Sequence, residues 1–218
     1  MALKVIGVGL SPFVRKVRVI LAEKGLEYEH DPMLPIGVSD EHKQKHPMGK
    51  VPVLEDGDRV IPDSSAIAHY LEGIQPQPAL FPSEPFDRAR AIWIEELSDT
   101  GLLNAAAPVF LERVIAPLFF KREGDEAKAV EAIEQSLPPY FDYLERELGD
   151  SEYMVANRFG IADVALGALL ANFTLAEASI DASRWPGLAA YLTRIHARPS
   201  FQRLMAEDAS AKAAAAAG

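Results

Sequence analysis

Four prolines fall within residues 75–85: Pro76, Pro78, Pro82 and Pro85. Proline fixes its own φ and has no N–H to donate, so neither a helix nor a sheet runs through such a stretch. The chain is therefore divided before any fold is considered. Strand and helix signals alternate ahead of the break, and nearly every signal behind it is helical. A small α/β part followed by a larger all-helical part is the expected layout.

In the first part, residues 3–8 form a short β-rich run. Ser11-Pro12 then opens a helix, with Ser at the cap and Pro at the first helical position, where its missing N–H costs nothing. Phe13, Val17, Ile20 and Leu21 give that helix an apolar stripe, and Gly25 suits its C-terminal end. Residues 27–30 read as a second strand. Residues 39–46 are polar and read as a short surface helix. Residues 51–61 read as a hairpin turning at Asp56-Gly57. Asp63-Ser64-Ser65 then caps a helix with Ile67, Tyr70, Leu71 and Ile74 on one side. The order is β-α-β-α-β-β-α, so the first two strands are parallel and the hairpin adds an antiparallel pair.

Behind the break, Gly101, Pro108 and Pro117 are expected to kink or split the first helical stretch. Residues 125–148 carry an apolar stripe with Pro138-Pro139 inside it, where a bend is expected. Residues 161–178 are apolar on nearly every side and read as a buried central helix. Residues 185–197 and 200–207 follow, and residues 209–218 read as an Ala-rich, frayed helical end. Asp163, three residues after Gly160, is placed to reach back to the helix start and is assigned to folding.

The chain has 218 residues and no cysteine. Disulfides, thiolate metal sites and a protein-borne nucleophilic thiol are excluded. Any thiol chemistry must use a thiol from a ligand. The net charge of −10 opposes binding to nucleic acid or an anionic membrane. The opening residues lack a signal-peptide layout, and no uninterrupted apolar run reaches the roughly 20 residues of a membrane span. A cytoplasmic protein is expected.

Several residues sit where chemistry is possible. Ser11, at a strand-to-helix turn, offers a hydroxyl beside the positive end of a helix. Lowering a thiol pKa by about two units needs roughly 2.7 kcal/mol. A hydrogen bond to a charged group gives roughly 1.5–3 kcal/mol, so one hydroxyl helped by a helix end suffices. From Ser11-Pro12 alone, a simple cap is the better reading. Arg15 and Arg18 follow within two turns and oppose the helix dipole, so they are either tolerated or used to add positive potential. Val51-Pro52 either presents a cis-proline beside a backbone that pairs with a peptide-like ligand, or is an ordinary strand start. Asp63 and Ser64 suit an amino-acid zwitterion or mere capping. Lys50 suits a ligand carboxylate or solvent. His42 and His46 are four apart on the polar helix, and a solvated face is favoured over a metal site.

Taken together, Ser11-Pro12-Phe13-Val14-Arg15-Lys16-Val17-Arg18, Pro47-Met48-Gly49-Lys50-Val51-Pro52-Val53-Leu54 and Asp63-Ser64-Ser65-Ala66-Ile67, then a proline-rich linker and a helical half, closely resemble the cytosolic glutathione transferase family. Its serine-type, theta- or phi-like bacterial members are the nearest in pattern. The resemblance implies an α/β thioredoxin-like N-terminal domain over residues 1–76, a linker over 77–86 and an all-α C-terminal domain over 87–218. It implies glutathione as co-substrate, no metal, and a homodimer. By resemblance Ser11 is the catalytic serine. Lys50, Val51, Pro52, Asp63 and Ser64 hold glutathione: Val51 through its backbone before cis-Pro52, the Asp63-Ser64 pair at the γ-glutamyl end, and Lys50 at the glycyl carboxylate. Gly160-Ile161-Ala162-Asp163 matches the family's buried capping box, with Gly where Ser or Thr is usual.

The implied activity is transfer of the glutathione thiolate to a small hydrophobic electrophile. Alternatives are another glutathione-dependent reaction on the same scaffold, isomerisation or dehalogenation, and a transferase-like protein that binds partners without catalysis. The sequence departs from the family's tyrosine-type pattern with Gly7-Val8-Gly9, and has no Cys in place of Ser11. Pro35-Ile36-Gly37-Val38 stands where some relatives have a His. Trp93, Phe110, Phe119 and Phe120, with Leu111, read either as an electrophile pocket or as core. Asp99 is a candidate for reaching a partner's γ-glutamyl site.

Overall fold

The computed structural model describes residues 3–217; expectations touching Met1, Ala2 and Gly218 lie outside them. The chain parts into two compact units, Met1–Leu80 and Phe81–Gly218.

The first unit holds β1 (Leu3–Ile6), α1 (Pro12–Glu23), β2 (Tyr28–Asp31), α2 (Asp40–Lys45), β3 (Val53–Asp56), β4 (Arg59–Pro62) and α3 (Ser64–Ile74). The strands form one sheet in the order β2-β1-β3-β4. β1 and β2 run parallel, and the β1/β3 and β3/β4 pairs are antiparallel, as the pattern predicts. Gly57 takes the left-handed conformation, φ 59, that the hairpin turn requires. Buried Val14, Val17, Ile20 and Leu21 line α1, but burial extends without a break from Val14 to Leu21 and includes Arg15, Lys16 and Arg18. Two of these cations are bonded to side chains: Lys16 Nζ donates to Ser65 Oγ at 3.0 Å, and Arg18 Nε to the Tyr28 hydroxyl at 2.8 Å.

The proline-rich stretch is tied down at its start. The buried Lys24 ammonium donates to the carbonyls of Gln75 (2.7 Å) and Pro78 (2.9 Å) and pairs with Glu72 at 2.7 Å. Carbonyls left without donors by neighbouring prolines are thereby satisfied. Gln77-Pro78 and Val51-Pro52 are both cis.

The second unit is all-helical. α4 (Pro85–Leu97), α5 (Leu103–Phe110) and α6 (Ala116–Phe119) are joined by π-helical turns at Ser98–Leu102 and Leu111–Ile115. Gly101, Pro108 and Pro117 therefore do not split the stretch into separate helices. A widened turn absorbs one residue, and with it the missing donor of a proline, without ending the helix. A third such turn, Ala132–Ser136, lies between α7 (Glu126–Glu131) and α8 (Pro138–Leu148), ahead of Pro138-Pro139. Residues Pro85–Phe119 are long and apolar enough, by length and composition, to cross a membrane, with mean hydropathy 1.5 in the relevant window. The sequence expectation counted only uninterrupted apolar runs and missed this. α4 and α5 pack along α9 (Ile161–Leu175), the buried central helix.

α10 (Pro186–His196) and α11 (Pro199–Ala217) complete the bundle. Gly167 lets them close on α9: a Cβ there would lie 2.6 Å from Ile195 and 2.7 Å from Phe201. α11 does not fray at residue 209. Alanine favours the helix, and Lys212 donates to the Leu175 carbonyl at 2.8 Å.

Candidate functional site

Strand register assembles the site within the first unit. Ile6 at the end of β1 lies opposite Val53 at the start of β3, and Val53 lies opposite Pro62 at the end of β4. The segments leaving β1, entering β3 and leaving β4 therefore meet at one end of the sheet. These segments carry Ser11, Val51-Pro52 and Asp63-Ser64. Gly7 sets their closeness. Its φ is 141, and a Cβ there would lie 2.5 Å from Val14 Cγ2 and 2.7 Å from Val51 Cβ. Only glycine lets the first turn of α1 approach Val51 this closely.

Ser11 caps α1, its Oγ accepting from the Val14 N–H at a long 3.4 Å. Among the described residues its hydroxyl donates to none, so the proton remains available to an acceptor. No acidic residue stands in the first turn of α1. The positive end of the helix there attracts an anion.

Asp63 caps α3 with φ 75, a conformation uncommon for a residue with a side chain. Its Oδ1 accepts from the N–H groups of Ser65 (3.0 Å) and Ala66 (3.1 Å). Among the described residues Oδ2 has no partner. Ser64 beside it is 2% exposed, yet its hydroxyl has no partner among the described residues either. Its oxygen is not sealed from solvent, so a ligand or water can reach it. Val51 is buried and joined to Pro52 by a cis bond. The Lys50 side chain is exposed, while its carbonyl is held by a histidine.

That histidine corrects the expectation of a solvated polar face. His42 and His46 are each 4% exposed. Ser39 caps α2, accepting from the His42 N–H at 3.2 Å. His42 Nε2 lies 2.8 Å from the Lys50 carbonyl, which can only accept, so Nε2 carries the proton. α2 is thus fastened to the segment that delivers Val51. His46 Nδ1 is shut off from solvent and has no hydrogen-bond partner. Burial, then the neighbouring His42 and Lys50, push the His46 pKa below its ordinary value, while Asp63 pulls it up. Sequence reasoning missed both rings. The Ser39 cap and the four-residue spacing were visible, but not the face that packs inward. No group of three or more metal-ligating side chains occurs among the described residues.

In the second unit Trp93 is half-exposed and donates from Nε1 to the Tyr143 hydroxyl at 2.7 Å. Leu111 and Phe120 are also exposed, and Asp99 lies in the first π-helical turn. Asp163 receives the N–H groups of Met154 (2.9 Å) and Gly160 (2.8 Å) and the Tyr191 hydroxyl (2.8 Å). It is spent inside the fold, as its spacing from Gly160 predicts.

A four-stranded mixed sheet with helix N-termini and a cis-proline at one end, followed by an all-helical unit, defines a thioredoxin-like domain with a helical C-terminal partner. The chain belongs to the glutathione S-transferase family. The family description "Glutathione S-transferase, N-terminal domain" matches residues 5–79, and "Glutathione S-transferase, C-terminal domain" matches residues 110–208. Glutathione S-transferase 3 of Zea mays is 32% identical over 219 residues, 94% of this chain and 93% of that protein. A maleylacetoacetate isomerase of Pseudomonas aeruginosa is 31% identical over 196 residues, 86% of this chain and 88% of that protein. Among solved structures, the theta class glutathione S-transferase from Xanthomonas axonopodis pv. citri with glutathione bound superposes with a TM-score of 0.80. It is 27% identical, covering 94% of this chain and 97% of that one.

Proposed function

We propose that this protein is a serine-type glutathione S-transferase: it joins the sulfur of glutathione to a small hydrophobic electrophile, as a cytoplasmic homodimer with a detoxifying role. The observation that carries this reading is the strand register that gathers Ser11, Val51 and Asp63-Ser64 at one end of the sheet.

Each residue there has a chemical part to play. The unclaimed Ser11 hydroxyl donates to the sulfur anion, and the start of α1 adds its field. A charge-assisted bond of roughly 1.5–3 kcal/mol and a helix-end contribution of roughly 0.3–1 kcal/mol meet the demand set out above. Asp63 Oδ2 takes the γ-glutamyl ammonium, and the Ser64 hydroxyl takes the adjacent carboxylate. The Val51 main chain pairs with the peptide, and the Lys50 ammonium pairs with the glycyl carboxylate. Glutathione supplies the nucleophile. The protein holds the thiolate and orients it, so that a C–S bond forms as the electrophile's leaving group departs with its electron pair. The residues present suit the tripeptide, since a hydroxyl proton, a carboxylate oxygen and a nearly buried hydroxyl all stand without protein partners.

Replacement of Ser11 by Ala tests the reading. Turnover with an aryl halide is expected to fall about 100-fold, while the Kd for glutathione changes less than about threefold. Unchanged turnover overturns the role of Ser11. A second reading, isomerisation of an unsaturated acid, is favoured by the isomerase relative. It leaves glutathione unconsumed, so titration of free thiol during turnover separates the two. Binding without turnover across a substrate panel would instead support the non-catalytic alternative.

A further inference from the structure

His42 takes no part in the chemistry just proposed, yet it is 4% exposed and its ring reaches the segment that leads into β3. The ring is well anchored. Ser39 accepts from the His42 N–H at 3.2 Å, and Lys45, at the far end of α2, pairs with Glu55 of β3 at 3.0 Å. From there Nε2 donates to the Lys50 carbonyl at 2.8 Å. A carbonyl and the N–H of the next residue belong to one planar unit, and in a trans unit they point in opposite directions. Among the described residues only the bonds to Pro52 and Pro78 are cis, so the Lys50–Val51 unit is trans. By taking the Lys50 carbonyl, the ring turns the Val51 N–H away from itself. Neither the N–H nor the carbonyl of Val51 has a hydrogen-bond partner among the described residues. Both main-chain groups are left to something outside the chain.

We infer that His42 is a positioning residue for the cysteinyl part of glutathione: its ring fixes the Lys50 carbonyl and, through the shared peptide plane, aims the Val51 N–H at the ligand. The inference rests on the reading of Val51 given above. A residue that pairs with an extended peptide in the antiparallel manner exchanges two bonds with one partner residue. The Val51 N–H gives to the cysteinyl carbonyl, and the Val51 carbonyl accepts from the cysteinyl N–H. Pro52 brings no N–H of its own, so the next residue supplies no donor in place of a Val51 N–H that is turned aside. Without the bond from the ring, the Lys50–Val51 plane can rotate and the ligand loses its donor. The ring thus acts on the tripeptide without touching it.

The test is calorimetry on the full chain with two ligands. S-methylglutathione carries the cysteinyl carbonyl. γ-Glutamyl-2-(methylthio)ethylamide keeps the γ-glutamyl end, the amide N–H and the sulfur, but lacks that carbonyl and the glycine. His42→Phe keeps a ring and loses its donor. Its Kd for S-methylglutathione is expected to rise about fivefold, the scale of one hydrogen bond, while the Kd for the shorter ligand changes less than about twofold. His42→Gln, whose amide N–H can serve the same carbonyl, is expected to recover most of the loss. Should the Phe variant fail to fold, amide hydrogen exchange on the unaltered protein decides: S-methylglutathione is expected to protect the Val51 amide, and the shorter ligand is not. Equal losses for both ligands, no loss in His42→Phe, a His42→Gln variant as weak as His42→Phe, or a Val51 amide that gains no protection overturns the role of His42 alone. Absence of S-methylglutathione binding by the unaltered protein overturns the reading of the site together with it.

Discussion

Two helix starts in this molecule solve the same problem in opposite ways. α1 and α9 each begin with N–H groups that have no carbonyl within the helix to receive them. At α9 the need is met in part from inside, at the N–H of the cap residue. Gly160 brings no side chain, and Asp163 binds the Gly160 N–H, the Met154 N–H and the Tyr191 hydroxyl at 2.8–2.9 Å. At α1 the cap is a serine with one long bond of 3.4 Å, no acid in the first turn and an unclaimed hydroxyl proton. One start spends its carboxylate on the fold. The other keeps a hydroxyl proton that an anionic ligand can take. The same local chemistry thus serves stability or function according to how much of it is already used up.

The largest break of this contrast is Asp163→Ala. It strips three donors of their acceptor, one of them a Tyr191 hydroxyl in a fully buried side chain. Each unmet buried donor costs about 1–3 kcal/mol, so a loss of about 4 kcal/mol is expected in urea unfolding. A loss under about 1 kcal/mol would erase the distinction between the two starts.

A pH titration sharpens it. Burial pushes the Asp163 carboxyl up to about 6 from 3.8, against the pull of its hydrogen bonds to Met154, Tyr191 and Gly160. Between those values the folded chain keeps a proton that the unfolded chain has released. Stability from this group is therefore greatest below pH 4 and falls as pH rises through 6, by about 3 kcal/mol in all. Glu112 has the opposite sign. The Arg122 guanidinium, then the Asp125 N–H, hold its carboxyl near 2, below the ordinary 4.5. Its contribution is present above pH 4.5 and is lost as pH falls through 2. The difference in unfolding free energy between the protein and Asp163→Asn, followed from pH 4 to 7, isolates the first effect. A difference that does not change over that range contradicts the burial of a titrating carboxyl there.

At α1 the expected cost moves from stability to chemistry. Ser11→Gly removes the hydroxyl but keeps an acceptable cap, so unfolding should shift by only a few tenths of a kcal/mol. Turnover with an aryl halide should drop about as far as in Ser11→Ala. A stability loss as large as that of Asp163→Ala would mark Ser11 as part of the fold in the same sense.

How much of this was legible in the sequence follows from the range of each interaction. Ser11-Pro12, Asp56-Gly57 and Gly160 to Asp163 are signals of two to four residues, and each marks the element it predicts. The proline cluster marks the change from α/β to all-helical structure. What the sequence concealed depends on distant partners. α2 has only six residues, too few for a period to show which face turns inward. His42 and His46 are therefore read as solvated although both are buried and the Lys50 carbonyl, from a later segment, accepts from His42. Pro108 and Pro117 carry a strong local signal for a break, yet a π-helical turn at Leu111–Ile115 lies between them and the helix carries on. Gly7 is read as part of the β-rich run over residues 3–8, and nothing near it in sequence marks it as the spacer between α1 and Val51.

The smallest expected effect comes from exchanging the two solutions. Gly160→Ser gives α9 the hydroxyl that α1 uses. The backbone at Gly160, φ −158 and ψ −166, is extended and open to any residue, so no strain opposes the change. The new Oγ would accept an N–H in the first turn of α9 that Asp163 does not serve, since Asp163 is committed to Gly160, Met154 and Tyr191. Ser exceeds Gly at a helix cap by only a few tenths of a kcal/mol, so the midpoint of thermal unfolding should rise by about 1–2 °C for a chain of this length. Glutathione affinity should not change, because this hydroxyl lies in the helical unit and its oxygen is used within the fold. A decrease in stability would mean that the Asp163 network already fills the space at Gly160.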